Sequence, residues 1–187
     1  MRFLASQTRR TSASTVRGAF TLVEILTVIV ILGIVSAVIL PQIGSRDDLR
    51  AAASARILIS DLIYAQNLAI SSQRTTYVRF GTNGYGLYDS PTGSTPITHP
   101  VNKTPYTATF GTGGSAGLAN SAIDSRSFDG QDTLAFDELG APYSYNAIST
   151  ALTPLVAAGE VVVRSGVHRL RVSVEPFTGE VTVSPVP

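Results

Sequence analysis

The hydrophobic pattern divides the chain into an unpatterned start, two helical segments and a region of strands. Residues 1–19 are rich in Ser, Thr and Arg, and residues 20–40 form an apolar run whose only charged side chain is Glu24. No polar face exists, which argues against an amphipathic surface helix. A helix of that length is about 30 Å long, close to the thickness of a bilayer's hydrocarbon core. We therefore expect residues 20–44 to hold a membrane-spanning helix. The alternative is a buried core helix.

The distribution of charge predicts an orientation for that helix. Residues 1–19 carry four arginines and no acid, whereas the rest of the chain has ten basic and thirteen acidic residues. Positive charge before a membrane helix favours a cytoplasmic N-terminus. The expected localisation is the bacterial inner membrane, crossed once, with the C-terminal domain in the periplasm.

After the apolar run the sequence pattern still predicts a helix, but its apolar side chains now lie on one face. Pro41 is expected to kink the helix, because proline has no N–H to donate and clashes with the preceding turn. Between residues 51 and 72, apolar side chains recur at spacings of three and four, whereas polar ones such as Asp61 fall largely on other faces. The apolar stripe consists of Ala55, Leu58, Ile59, Leu62, Ala65, Ala69 and Ile70. The two segments together predict one long, kinked helix from about 21 to 72.

From residue 75 the period changes to two, which is typical of strands. The sequence Gly-Thr-Asn-Gly at 81–84 lies between two alternating segments and predicts a hairpin. Further strands are expected at 106–110, 133–136, 161–164, 169–175 and 180–184, with a variable loop over 89–122. The expected fold class is α+β: a long kinked N-terminal helix packed on a mostly antiparallel sheet domain within residues 45–187.

One short motif carries the functional hypothesis. Residues 17–24 read Arg-Gly-Ala-Phe-Thr-Leu-Val-Glu. This resembles the prepilin-type cleavage and methylation motif of type IV pilins and type II secretion pseudopilins. The resemblance implies that residues 1–19 are a leader, that a prepilin peptidase cuts between Ala19 and Phe20, and that Phe20 is then N-methylated. Glu24 becomes the fifth mature residue and Pro41 the twenty-second, both positions that this family uses in assembly.

Two other cleavage sites stay open or are disfavoured. The family usually has Gly where this chain has Ala19, so a cut after Gly18 remains an alternative, and it would place Glu24 sixth. An ordinary secretory signal cut after Ala37 is disfavoured, because Glu24 would lie inside its uncharged segment and the leader before it is long.

The charge of Glu24 needs a partner in an apolar environment. A carboxylate costs about 2.5–3.5 kcal/mol at the centre of a membrane helix. The new amine of Phe20 can offset it within the chain or in a neighbouring subunit, and the resemblance implies the second. The alternative is that Glu24 only complements its own helix dipole. The implied partners are the prepilin peptidase, the membrane, an inner-membrane assembly platform and other pseudopilins or pilins through the N-terminal helix.

Two turn motifs narrow the resemblance. Residues 136–142 read Phe-Asp-Glu-Leu-Gly-Ala-Pro, and residues 176–181 read Pro-Phe-Thr-Gly-Glu-Val. Both resemble H-type minor pseudopilins and T-type fimbrial minor pilins. The expected function is a non-enzymatic minor subunit of a type II secretion pseudopilus that supports protein export across the outer membrane. The alternative is a minor pilin of a type IV pilus, used in assembly, adhesion or DNA uptake.

Composition removes several kinds of chemistry. The chain has no Cys and two His, which excludes a disulfide framework and a thiol nucleophile and argues against a metal site. No cofactor is expected. Arg164, Arg169 and Arg171 form a candidate basic strip, but nearby acids and the acidic body argue against nucleic acid as a partner. Asp124, Asp129 and Asp132 surround a glycine turn, which we interpret as a plain turn in preference to a calcium site.

Overall fold

In the computed structural model, residues 20–39, 46–111, 118 and 120–186 are described. The chain divides into two compact units, Met1–Gly44 and Ser45–Pro187. The leader 1–19, with Gly18 and Ala19, lies outside the described residues, and so does Pro41.

The first unit contains one helix, α1, over Leu22–Ile39. The second unit begins its helix, α2, at Asp47 and continues it to Ser72. The predicted fold class is therefore wrong, because the single long kinked helix from about 21 to 72 is two separate helices. The chemistry of Pro41 gives a physical reason: proline cannot donate an intrahelical hydrogen bond and disfavours helical backbone at the residue before it.

The predicted single-pass inner-membrane localisation is also wrong. Among the described residues, no helix combines the length and the apolar character needed to cross a membrane.

In the described part of the chain, ten strands follow α2, and every pair of neighbouring strands is antiparallel. They are β1 (Thr76–Gly81), β2 (Gly84–Tyr88), β3 (Thr107–Thr109), β4 (Ala122–Ser127), β5 (Thr133–Phe136), β6 (Pro142–Asn146), β7 (Ala151–Pro154), β8 (Gly159–Ser165), β9 (His168–Val174) and β10 (Val181–Pro185). A six-stranded sheet has the order β3-β2-β1-β5-β6-β7, and a four-stranded sheet has the order β10-β9-β8-β4.

The core of the second unit lies between α2 and the two sheets. Five residues of the predicted apolar stripe are buried: Ala55, Leu58, Leu62, Ala65 and Ala69. They pack with buried side chains of both sheets, including Val78 of β1, Phe136 of β5 and Val172 of β9. Ile70, the last residue of the stripe, is 42% exposed. The helix therefore stabilises the fold by covering apolar surface that antiparallel strands would otherwise leave to water.

Candidate functional site

The start of α1 is fixed by a local hydrogen-bond pattern. The Thr21 hydroxyl accepts a hydrogen bond from the backbone N–H of Glu24 at 3.2 Å. The Thr21 carbonyl accepts one from the N–H of Ile25, also at 3.2 Å. Thr21 is thus the N-cap, and Thr-x-x-Glu is the sequence of a capping box, in which a glutamate three residues later can reach back to the cap. Glu24 also lies in the first turn, where a negative charge complements the helix dipole.

Two of the predicted functional residues lie together at this end of α1. Phe20 directly precedes the cap and is 75% exposed. The side chain of Glu24 is exposed one turn further on. The other predicted residues, Gly18, Ala19 and Pro41, lie outside the described part of the chain. The structure therefore describes the mature side of the expected cleavage junction, where the backbone of Phe20 lies outside the helix.

The surface of α1 is apolar in every direction. Eleven of its large aliphatic side chains are between 44% and 81% exposed. Its other side-chain hydrogen bond is local, from the Thr27 hydroxyl to the Val23 carbonyl at 2.8 Å. Contiguous exposed apolar surface of this kind marks an interaction site in proteins.

A second polar cluster lies in the globular unit and was missed by the sequence analysis. Asp61 of α2 accepts a hydrogen bond from the Tyr85 hydroxyl at 2.6 Å and one from the Tyr106 hydroxyl at 2.9 Å. Burial raises the pKa of the Asp61 carboxyl, although both hydroxyls oppose the shift. Burial, and then the charge of Asp61, raise the pKa of both tyrosines. Each oxygen of the Asp61 carboxylate therefore accepts a hydrogen bond from one tyrosine hydroxyl. We call this group of Asp61, Tyr85 and Tyr106 the Asp61 anchor.

The anchor holds part of the predicted variable loop against α2. The ring of Tyr106 stacks on Tyr64 of α2, with centroids 5.2 Å apart, and lies 4.5 Å from the ring of His99. Asp61, which was expected on a face other than that of the stripe, is thus half-buried at the border of the stripe. The signal that could have found it is its spacing, because it lies three residues after Leu58 and directly before Leu62, at the border of the buried stripe.

A second anchor on α2 joins the two turn motifs that carried the narrower resemblance. The side-chain amide of Gln66 donates to the Gly140 carbonyl at 2.9 Å and to the Thr178 carbonyl at 3.0 Å. Gly179 has φ +67°, and a Cβ placed there would lie 2.5 Å from the Gln66 amide nitrogen. Glycine is therefore required for this close approach. Two loops distant in sequence thus meet at one helix side chain.

The candidate basic strip is paired with acids. Asp124 accepts from Arg164 and from Arg169, both at 3.1 Å. Arg171 contacts Glu160 at 3.3 Å. Asp124 lies where the register of β4 shifts against β8. The extra residue of such a bulge re-aims side chains locally. These pairs reduce the positive charge that a phosphate backbone would need.

The acids of the candidate calcium turn separate to different partners. Asp132 pairs with Arg126 at 3.0 Å. Asp129 accepts hydrogen bonds from the N–H groups of Val156 and Ala157 at 2.8 and 3.2 Å. Within the described ranges, the structure contains no group of three or more side chains arranged to hold a metal ion.

Comparisons with known proteins found no relative. The chain matches no protein-family description, no curated protein and no solved structure.

Proposed function

We propose that this chain is a pilin-like structural subunit, a minor pseudopilin of a type II secretion pseudopilus that supports protein export across the outer membrane. In this proposal a prepilin peptidase cuts between Ala19 and Phe20 and methylates the new terminus. The helix α1 then joins the apolar core of a filament. The observation that carries the proposal is a capped helix, with a carboxylate in its first turn, whose side chains are apolar and exposed on every face.

Energetics support an external partner for α1. Fully burying an aliphatic side chain contributes about 1.5–3 kcal/mol. The exposed parts of the eleven side chains amount to about six whole ones, so burying them contributes roughly 10–20 kcal/mol, which is comparable to or larger than the roughly 4–15 kcal/mol that association costs in lost freedom of motion. Packing against the same helix of other subunits is the burial that the proposal assigns to α1.

The role proposed for Glu24 follows from the same packing. Once α1 is surrounded by apolar helices, an isolated carboxylate is costly unless a positive group faces it. Cleavage before Phe20 creates a cationic amine next to the cap. Pairing of Glu24 with the amine of a neighbouring subunit would set the axial register between helices. Capping of its own helix is the competing role, because Glu24 occupies the third helical position after Thr21.

Two substitutions separate these roles. Glu24→Gln keeps a side chain that can complete a capping box but removes the charge, whereas Glu24→Ala removes both. The chain is produced with a prepilin peptidase and a major pseudopilin, and its amount in sheared, sedimented filaments is measured. The proposal expects a strong loss of incorporation in both variants. Normal incorporation of Glu24→Gln together with loss in Glu24→Ala would assign Glu24 to capping and contradict the pairing.

Terminal analysis tests the processing step independently. The mass and first residue of the purified chain are measured with and without active peptidase. The proposal expects a chain that begins with methylated Phe20 only when the peptidase is active. A first residue of Ala19 would move the cut to the alternative site, and an uncut chain in the presence of the peptidase would overturn the proposal.

A further inference from the structure

The strand β10 forms an edge of the four-stranded sheet, and its backbone pattern shows which of its groups are free to pair. The carbonyl of Glu180 accepts from the N–H of Glu175, and the N–H of Val186 donates to the carbonyl of Arg169. The backbone N–H and carbonyl groups of successive residues point to opposite sides of an antiparallel strand. Those of the even-numbered residues of β10 therefore point towards β9. The N–H and carbonyl groups of Val181 and Val183, and the carbonyl of Pro185, therefore point away from the sheet.

An apolar groove lies beside the same edge. It has a volume of about 210 Å³ and is lined mainly by Ala52, Ala55 and Ile59 of α2 and by Leu170, Val183 and Pro185, with Arg56 and Ser184 also at its wall. Val183 is 51% exposed in the middle of β10. Side chains alternate along a strand, so Val183 lies on the same face as its buried neighbour Val172 of β9. A strand added at this edge would place its inward side chains in the groove.

The other edge of the same sheet carries the features that usually prevent such pairing. The edge strand β4 has an irregular register at Asp124 and contains Arg126. Bulges and charges of this kind block edge-to-edge association. In contrast, β10 reads Val-Thr-Val-Ser-Pro and has no charged residue. Its one protective residue is Pro185, which lacks a donor but keeps its carbonyl.

We infer that β10 pairs with β10 of a second copy of this chain, antiparallel and centred on Val183. In this register Val183 exchanges two hydrogen bonds with its counterpart, and each Val181 N–H donates to the other copy's Pro185 carbonyl. Thr182 lies opposite Ser184, which is a favourable cross-strand pair. The hydrogen-bonding pattern is thus self-complementary, as a two-fold interface requires. This inference concerns the unit Ser45–Pro187 and does not rest on the proposed function.

The charges along the outer face favour a second copy as the occupant. Glu175 and Glu180 lie at one end of this edge, and Arg169 lies at the other, beside Val186. Two-fold pairing places Glu180 of one copy opposite Val186 of the other. With strands about 4.8 Å apart, Glu180 and Arg169 of different copies are about 10 Å apart at Cα, within reach of their combined side chains. Each Arg169 also contacts Asp124 of its own copy at 3.1 Å, so the pairing adds Glu180 as a second acidic neighbour of Arg169 at both ends of the interface.

The packing of α2 leaves room for this arrangement. The helix lies mainly over β8 and β9. In the pair, the two helices lie on the same face of a continuous sheet and are separated by roughly three to four strand spacings, about 14–19 Å. That distance exceeds the 8–10 Å at which helices pack, so the helices do not overlap. Val183 and Pro185 of both copies lie between them.

Cysteine cross-linking of the full chain tests the register, because the native sequence contains no Cys. In Val183→Cys the two Cα atoms would lie about 5.5 Å apart, within the range that a disulfide bridges. In Thr182→Cys the equivalent residues are diagonal and more than about 7 Å apart. Ser125→Cys places the thiol on β4, at the opposite edge of the sheet.

We expect the dimer yield of Val183→Cys under mild oxidation to exceed that of either control about tenfold. Adding Glu180→Lys to Val183→Cys should lower the yield about two- to fivefold, since exposed ion pairs contribute little each. Circular dichroism checks that the variants are folded. Equal yields from the three single-cysteine variants would indicate association through another surface, such as α1, and would overturn the inference. Absence of a cross-link in folded Val183→Cys would overturn it as well.

Discussion

The two helices of this chain differ in where their apolar surface is buried. On α2 the apolar side chains form one stripe, and Leu58, Leu62, Ala65 and Ala69 are each completely buried against the sheets. On α1 the apolar side chains cover every face, and those described are exposed. The apolar stripe of α2 therefore has its partner within its own unit, whereas the described apolar side chains of α1 remain exposed. A helix that is apolar on one face is expected to pack within a globular domain. A helix that is apolar on every face is expected to be surrounded by other apolar groups.

The polar contacts of the two helices differ in the same way. The side chains of α2 bond to residues far along the chain: Asp61 to Tyr85 and Tyr106, and Gln66 to the turns at Gly140 and Thr178. The hydrogen bonds of α1 stay within four residues. Polar groups on α2 therefore specify tertiary structure, whereas the hydrogen bonds described for α1 stabilise the helix locally.

The largest expected difference comes from truncating one leucine in each helix. Leu62→Ala removes a completely buried side chain and should lower the free energy of unfolding by about 2–5 kcal/mol. Leu26→Ala removes a side chain that is 59% exposed and should change it by less than about 0.5 kcal/mol. Urea unfolding followed by far-UV circular dichroism measures both. Equal losses would mean that α1 is buried within its own chain and would remove the contrast between the helices.

The anchor at Asp61 should give α2 a pH-dependent contribution. Tyr85→Phe removes a hydrogen bond to a carboxylate and should lower the free energy of unfolding by about 1–3 kcal/mol near pH 7. The raised pKa of Tyr85 means that the folded chain keeps its phenolic proton at pH values where the unfolded chain loses it. The wild-type protein therefore loses stability as the pH rises above about 10, and the variant lacks this contribution.

The difference in the free energy of unfolding between wild type and Tyr85→Phe should thus become smaller as the pH is raised from about 7 to about 10.5. Urea unfolding at both pH values measures it, and Tyr143→Phe on β6 provides a matched tyrosine control. A difference that stays constant or widens at alkaline pH would contradict the raised pKa of Tyr85.

The second anchor should have a smaller and more local effect. Gln66→Ala removes two hydrogen bonds and should lower the free energy of unfolding by about 1–2 kcal/mol. Amide hydrogen exchange should accelerate at 137–141 and 176–180, the two turns that Gln66 joins. Asn67→Ala, at the exposed neighbouring position, is the control and should leave both turns unchanged. If the control accelerates the same turns, the effect belongs to the helix and not to the amide of Gln66.

The sequence predicted elements well where one period continued without interruption. The strand expected at 133–136 is β5 with the same bounds, and the hairpin at 81–84 joins β1 to β2. The strands β4, β6 and β7 were missed. The period of β4 is broken by the register shift at Asp124, and β6 begins at Pro142, a residue that indicates a turn.

Contacts between distant segments were harder to predict than elements. The positions of Asp61 and Gln66 beside the stripe were visible in the sequence, but their partners lie 24 to 112 residues further along the chain. A helical period locates the face of a side chain and not the hydrogen-bond donor opposite it. The single long helix failed for a related reason: both segments are helical, and periodicity does not show whether Pro41 bends a helix or separates two.

The smallest expected effect on global stability comes from the cap of α1. Thr21→Ala removes the acceptor for the Glu24 N–H and should cost about 1 kcal/mol locally, while global unfolding changes by less than about 0.5 kcal/mol. Protection of the Glu24 and Ile25 amides from hydrogen exchange should fall about fivefold. Thr27→Ala, whose hydroxyl bonds a carbonyl within the helix, should leave those amides unchanged. A change in global unfolding as large as that of Gln66→Ala would show that the start of α1 is coupled to the globular unit, because a purely local cap cannot produce it.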